Sequence, residues 1–189
     1  MINTNIDDGY SFDNIQVLAP MYRGEFGIDA LNLSLQNSFN PKDKNKLEKR
    51  IADCLYREKD KILQLKNRPD DDVYNGDIGI LEEIDITART FLINYNDVYI
   101  YYSFDDLVEI SLAYALTVHK SQGSEYEIVY FLCAKEHYSM LYKKLIYTAI
   151  SRAKNKLVII GDKQTFINAT KRDIKQRKTH LIERLRTNQ

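Results

Sequence analysis

The run Tyr114-Ala-Leu-Thr-Val-His-Lys-Ser-Gln-Gly-Ser-Glu-Tyr126 constrains the fold more than any other part of the chain. It begins apolar, as the buried end of a strand does. It then carries Thr117, His119, Lys120, Ser121, Gln122, Gly123, Ser124 and Glu125, and the apolar strand Ile128 to Cys133 follows at once. A core segment has no use for so many hydrogen-bonding groups, because a buried group left unpaired costs ~1–3 kcal/mol. An ordinary surface turn does not need such apolar flanks. The combination fits the end of a buried strand in an open α/β sheet, where ligands bind. Thr, His, Lys and Gln at that place suit phosphate or nucleic acid, and Glu125 suits a ribose hydroxyl or a basic partner.

The rest of the chain supports such a sheet. Ile15 to Ala19 reads as a short strand ended by Pro20, and Tyr22-Arg-Gly-Glu-Phe-Gly27 as a turn. Ile28, Leu31, Leu35 and Phe39 have helical spacing, and Asn40-Pro41 stops that helix. Residues 42–58 are charged and helix-compatible, with Leu47, Ile51, Ala52 and Leu55 on one face. After Asp60 the period changes. Lys61 to Leu65, Val73 to Leu81 around Asn75-Gly76, Phe91 to Asn96 and Val98 to Tyr102 read as short strands of a small antiparallel barrel. Tyr95, Tyr99, Tyr101 and Tyr102 offer base stacking or plain packing, with Tyr99 and Tyr101 on the opposite face from Tyr102. Asp70 to Asp72 reads as an exposed turn. Leu141 to Ala153 reads as a helix with Arg152 in its last turn, and Leu157 to Ile160 as a fully buried strand closed by Gly161-Asp162. Apolar Phe166, Ile167, Ile174, Leu181 and Leu185 between basic residues predict a helix over Lys163 to Arg186.

Net charge is zero, but residues 1–112 hold 12 basic and 21 acidic side chains, and residues 113–189 hold 15 and 6. The basic half fits a polyanionic partner or a solvated face. No stretch approaches the ~20 apolar residues of a membrane span, and none reads as a signal peptide, so no membrane role is expected. Cys54 and Cys133 lack metal spacing; both sit in apolar context, as free thiols of a cytoplasmic protein would. No metal site is expected.

Three segments together resemble one family. Thr117-Val-His-Lys-Ser-Gln-Gly-Ser-Glu-Tyr126 is similar to motif V of superfamily 1 helicases of the RecD type. Leu145-Ile-Tyr-Thr-Ala-Ile-Ser-Arg-Ala-Lys154 resembles motif VI, and Ile15-Gln-Val-Leu-Ala-Pro-Met-Tyr-Arg-Gly24 with Gly27, Leu31-Asn32, Gln36 and Asn40-Pro41 resembles motif IVa. The resemblance covers roughly residues 13–186. It implies an α/β fold: a RecA-like parallel sheet with helices on both faces, interrupted by an SH3-like β-barrel. The implied division is 1–59 for the first part of the RecA-like domain, 60–110 for the barrel, and 111–189 for the remainder with a basic C-terminal helix.

It also implies roles. Arg152 would be the arginine finger. Gly123, Glu125 and Arg152 would approach ATP, while Thr117, His119, Lys120, Arg23 and Asn32 would hold single-stranded DNA. Asn32 and Gln36 equally suit caps or surface positions. The sequence contains no Gly-x-x-x-x-Gly-Lys-Ser/Thr, since His119 precedes Lys120 where that loop has glycine. ATP and Mg²⁺ would therefore be held mainly by an N-terminal P-loop RecA-like domain of the same enzyme. The family moves 5′ to 3′ along one strand, alone or with RecB- and RecC-like subunits. This chain by itself is expected not to turn ATP over. A nucleic-acid-binding or adaptor module without ATPase activity is the alternative in a different class.

Overall fold

The computed structural model describes residues 14–173. Four parallel strands form one sheet in the order β11-β10-β1-β9. These are β1 (Ile15–Ala19), β9 (Ala115–Thr117), β10 (Tyr126–Cys133) and β11 (Ala153–Gly161). Helix α1 (Ile28–Phe39) covers one face through Ile28, Leu31 and Leu35. Helices α2 (Lys143–Ile150) and α3 (Lys163–Thr170) cover the other through Leu145, Ile146, Ala149 and Ala169. Helices on both faces explain why β1 is buried at every residue, since a two-sided core leaves no polar side for alternation.

Between α1 and β9 the chain builds a second body. Strands β4 (Lys61–Gln64), β5 (Ile78–Asp85), β6 (Thr90–Tyr95), β7 (Val98–Ser103) and β8 (Ile110–Leu112) form an antiparallel sheet ordered β7-β6-β5-β4-β8. Its core gathers Ile62, Leu81, Ile84, Phe91, Ile93, Ile100 and Tyr102. Phe91 meets Tyr56 and Phe104 edge-on, with ring centroids 5.5 and 5.4 Å apart. The turn between β6 and β7 holds Asn96 and Asp97 at φ +50° and +73°, as a tight two-residue hairpin requires. Tyr95 and Tyr102 point inward, and both hydroxyls donate to the Gln64 side chain. Tyr99 and Tyr101 face solvent at 57% and 67% exposure, as the alternation predicts.

Three expectations need correction. Residues 42–58 are not a helix: β2 (Glu48–Ile51) and β3 (Cys54–Arg57) pair antiparallel, turning at Ala52, whose φ is +49°. Tyr56, Ile51 and Cys54 from this hairpin pack on the barrel core. The strand around Leu157 to Ile160 is not fully buried; β11 is the sheet's edge, and Ile159 is 40% exposed. The helix before Arg152 ends at Ile150, so Arg152 sits in the turn leading to β11, where Ala153 must pair with Tyr126. The continuation of the predicted C-terminal helix past residue 173 lies outside the described residues.

The two bodies meet at a buried carboxylate. Asp60 is fully buried and accepts four hydrogen bonds. Its donors are Gln36 Nε2 (2.6 Å), Asn40 Nδ2 (2.8 Å), the Arg57 amide (2.7 Å) and the Tyr114 hydroxyl (2.9 Å). Burial raises its pKa, while these donors pull in the other direction. They come from α1, from the end of β3 and from the segment re-entering the parallel sheet. Beside them, the Ala113 amide donates to the Lys61 carbonyl at 2.8 Å. The chain therefore enters and leaves the barrel side by side, held by one side chain.

Candidate functional site

The β9–β10 connection, residues 118–125, carries the predicted site residues in two groups. β1 is the common neighbour that fixes their separation. Val17 pairs with both Ala115 and Tyr130, and Ala19 pairs with Thr117. Thr117 is thus level with the C-terminal end of β10, and the connection runs back the height of the sheet to Tyr126.

At the first end, a tight turn closes on Thr117. Its carbonyl accepts from the Lys120 and Ser121 amides at 3.0 and 3.2 Å, and its Oγ1 accepts from the Lys120 amide at 3.3 Å. Ser121, fully buried, donates from Oγ to the Val118 carbonyl at 2.9 Å. These bonds leave His119 exposed and Lys120 half-buried, with Lys120 Nζ donating to Asn75 Oδ1 of the barrel at 3.2 Å. Thr117 is only 6% exposed and serves the turn itself. The turn after β1 lies at the same edge, because β1 and β9 are parallel neighbours, and Arg23 is exposed there.

Asn32 is placed elsewhere. It is 7% exposed and uses both ends of its amide on Ala115, donating to the carbonyl at 3.2 Å and accepting from the amide at 2.8 Å. That arrangement pins α1 to β9 and turns the side chain away from any ligand at the surface. Gln36 is likewise buried, in the Asp60 cluster.

At the second end, Gly123 has φ +94° with open space where a Cβ would lie, so its backbone conformation rather than crowding favours glycine. Arg152 closes on this end. Its Nη1 donates to the Ser124 carbonyl at 2.9 Å, Nε to the Thr148 carbonyl at 3.2 Å and Nη2 to Ser151 Oγ at 3.0 Å. The Tyr126 amide donates to the Arg152 carbonyl at 2.8 Å. Glu125 is exposed and faces Lys154 Nζ at 3.6 Å. An exposed pair of this kind adds at most ~1 kcal/mol, so the carboxylate is readily exchanged to another partner. Arg152 keeps N–H groups beyond the three engaged, because guanidinium has five.

Two features escaped the sequence reading. Asn75 was legible as a turn residue, but nothing in the linear order pairs it with Lys120. Ser124, Thr148 and Ser151 surround Arg152 through backbone carbonyls and a hydroxyl, which leave no compositional signal. Asp70 and Asp71 form a short 3₁₀ turn, and Asp71 pairs with Arg68 Nε at 2.9 Å. Among the described residues no group of three or more His, Cys, Asp or Glu is arranged to hold a metal ion. No helix among them is long and apolar enough to cross a membrane.

Comparison with known proteins accounts for both bodies. Residues 31–95 match the family described as ATP-dependent RecD-like DNA helicase SH3 domain, and residues 112–160 match the UvrD-like helicase C-terminal domain. The chain is 34% identical over 172 residues to the ATP-dependent RecD2 DNA helicase of Deinococcus radiodurans, covering 91% of this chain and 23% of that protein. It is 31% identical over 166 residues to the RecBCD enzyme subunit RecD of Buchnera aphidicola, covering 84% of this chain and 26% of the relative. The chain thus spans about a quarter of these relatives' length. The Pif1 helicase from Bacteroides, solved with ADP-AlF3 and single-stranded DNA, superposes with a TM-score of 0.58 at 16% identity, covering 95% of this chain and 46% of that one. That likeness bears on the fold. A parallel sheet carrying motif V and motif VI side by side, an inserted SH3 body, and a match across nine-tenths of the chain leave one assignment: the chain belongs to the RecD-like family of DNA helicases, in its C-terminal region.

Proposed function

We propose that this chain is the C-terminal motor part of an ATP-dependent 5′ to 3′ DNA helicase of the RecD type. In this reading residues 118–125 join two tasks. Lys120, His119 and Arg23 grip the backbone of single-stranded DNA, with Thr117 shaping the turn that carries them. Gly123, Glu125 and Arg152 face a nucleotide held mainly by an N-terminal P-loop domain of the same enzyme, which also supplies the Mg²⁺ site. Arg152 is the arginine finger, a cation worth ~10³ or more in rate when it reaches the γ-phosphate. Asn32 has no part in the DNA grip. RecB- and RecC-like subunits are partners only where the whole enzyme is of the RecBCD type.

The observation that carries the reading is the bond from Arg152 to the Ser124 carbonyl. It ties the finger to one end of the loop whose other end presents Lys120. Nucleotide-dependent movement of Arg152 would then pull on the DNA-holding turn through eight residues of backbone. Two measurements test this. The chain should bind a fluorescein-labelled oligo-dT strand with an affinity that falls as salt rises, and Lys120→Ala should weaken it. The chain alone should show no ATP turnover; turnover that Arg152→Ala abolishes would overturn the division of labour proposed here.

A further inference from the structure

We infer that Asn75, on the barrel, is a positioning residue for Lys120. The inference rests on the proposed role of Lys120 in gripping DNA and extends it to the inserted body. Lysine is a flexible cation with a large rotamer entropy, so a free lysine must be ordered each time it meets a phosphate. Here Lys120 Nζ donates to Asn75 Oδ1 at 3.2 Å. The ammonium has three donors, and one bond to the barrel leaves two for a phosphate.

The acceptor is itself held. The Asn75 amide donates to Asn67 Oδ1 at 2.9 Å, and the next residue, Gly76, donates its amide to the Gln64 carbonyl at 2.9 Å with φ at +108°. The Tyr74 amide donates to Asp77 Oδ2 at 2.7 Å. The Asn75 turn is therefore stitched to β4, and β4 begins at the Asp60 cluster that joins the bodies. A chain of fixed contacts runs from α1 through Asp60 and β4 to the lysine.

The chemistry of the acceptor matters as much as its place. An asparagine carbonyl orients the ammonium and leaves its charge intact. An aspartate there would orient it equally well and cancel the charge that a phosphate needs. Asp70, Asp71, Asp72 and Asp77 stand within five residues of Asn75, so the neutral side chain at this point sits inside an acidic stretch.

The test is a double-mutant cycle on the chain, read by anisotropy of fluorescein-labelled oligo-dT across a salt series, with circular dichroism confirming the fold of each variant. Lys120→Ala should weaken binding about fivefold and reduce the salt slope by about 0.7, the value of one phosphate on a single strand. Asn75→Ala should weaken binding about threefold when Lys120 is present and leave it unchanged in the Lys120→Ala background. Asn75→Asp should weaken binding more than Asn75→Ala and reduce the salt slope. If Lys120→Ala weakens binding while Asn75→Ala is neutral, or acts equally in both backgrounds, the positioning role is wrong and the DNA grip stands. If Lys120→Ala itself changes nothing in a folded chain, the proposed grip fails and the positioning role falls with it.

Discussion

Strand β1 of the parallel sheet is buried at all five residues and β10 at seven of eight, whereas β6 of the barrel alternates buried and half-buried along its length. The parallel sheet is sandwiched between helices, so its side chains are consumed in packing. Whatever that half does for a ligand must be done by the loops at its strand ends, and Thr117 to Glu125, Arg23 and Arg152 all lie in or beside such loops. The barrel is packed on its inner face alone. Its outer face and turns remain available, and that is where Asn75, Tyr99 and Tyr101 are found. The barrel can thus supply contacts to the neighbouring half at little cost to its own core.

The comparison can be broken most strongly from inside the barrel. Phe91 is fully buried against Tyr56 and Phe104. Phe91→Ala should cost about 3–5 kcal/mol in urea unfolding. In hydrogen exchange, the amides of Ile84, Ile93 and Ile100 should lose more protection than those of Val129 and Phe131; equal loss would mean the two bodies share one core.

Asp60→Asn should cost about 3 kcal/mol. Each Asp60 oxygen takes two donors, and an amide NH₂ in place of one of them faces donors it cannot accept from. This substitution should also split unfolding into two transitions, which Phe91→Ala should not do. A single shifted transition would deny Asp60 its joining role.

The two thiols offer a gentler contrast. Burial pushes both Cys54 and Cys133 up to about 11. A raised thiol pKa means less thiolate at neutral pH, so native-state alkylation at pH 8 should be about a hundredfold slower than for an ordinary cysteine and should quicken toward pH 11. Cys54 is half-buried and Cys133 fully buried. Cys54 should react first, and equal rates would contradict the difference in access.

The smallest effects lie at the barrel's rim. Asp97→Gly relieves a side chain at φ +73° and should stabilise by about 0.5 kcal/mol. Tyr101→Thr, on the exposed face, should stay within about 0.5 kcal/mol.

Much of this was legible in the sequence where period or motif speaks. The barrel strands alternate, α1 shows helical spacing, and the motif segments named both ends of the 118–125 loop in advance. The failures share a cause. Leu47, Ile51 and Leu55 have the spacing of a helix, yet they belong to a hairpin whose apolar residues pack on a body that folds later in the chain. Leu157 to Ile160 reads as central because apolar runs do not reveal which strand stands at an edge. Asn32 looked available because an amide side chain carries no sign of whether it serves a ligand or a neighbouring strand. Asp60 could not be told from any other aspartate, since its four donors come from sequence separations of 3 to 54 residues.

The side-by-side entry and exit of the barrel at Lys61 and Ala113 has a consequence for how such a chain could be assembled in evolution. A segment whose two ends are already neighbours can be spliced into a sheet or out of it without stretching the host. Excision here would need only a short bridge between residues 60 and 113. It would not be clean, however. Leu63 and Ile78 pack into the same cluster as Leu18 and Leu116 of the parallel sheet. The host has grown an apolar scar around its insert, and a sheet without the barrel would have to repaint that patch in polar residues to stand alone in water.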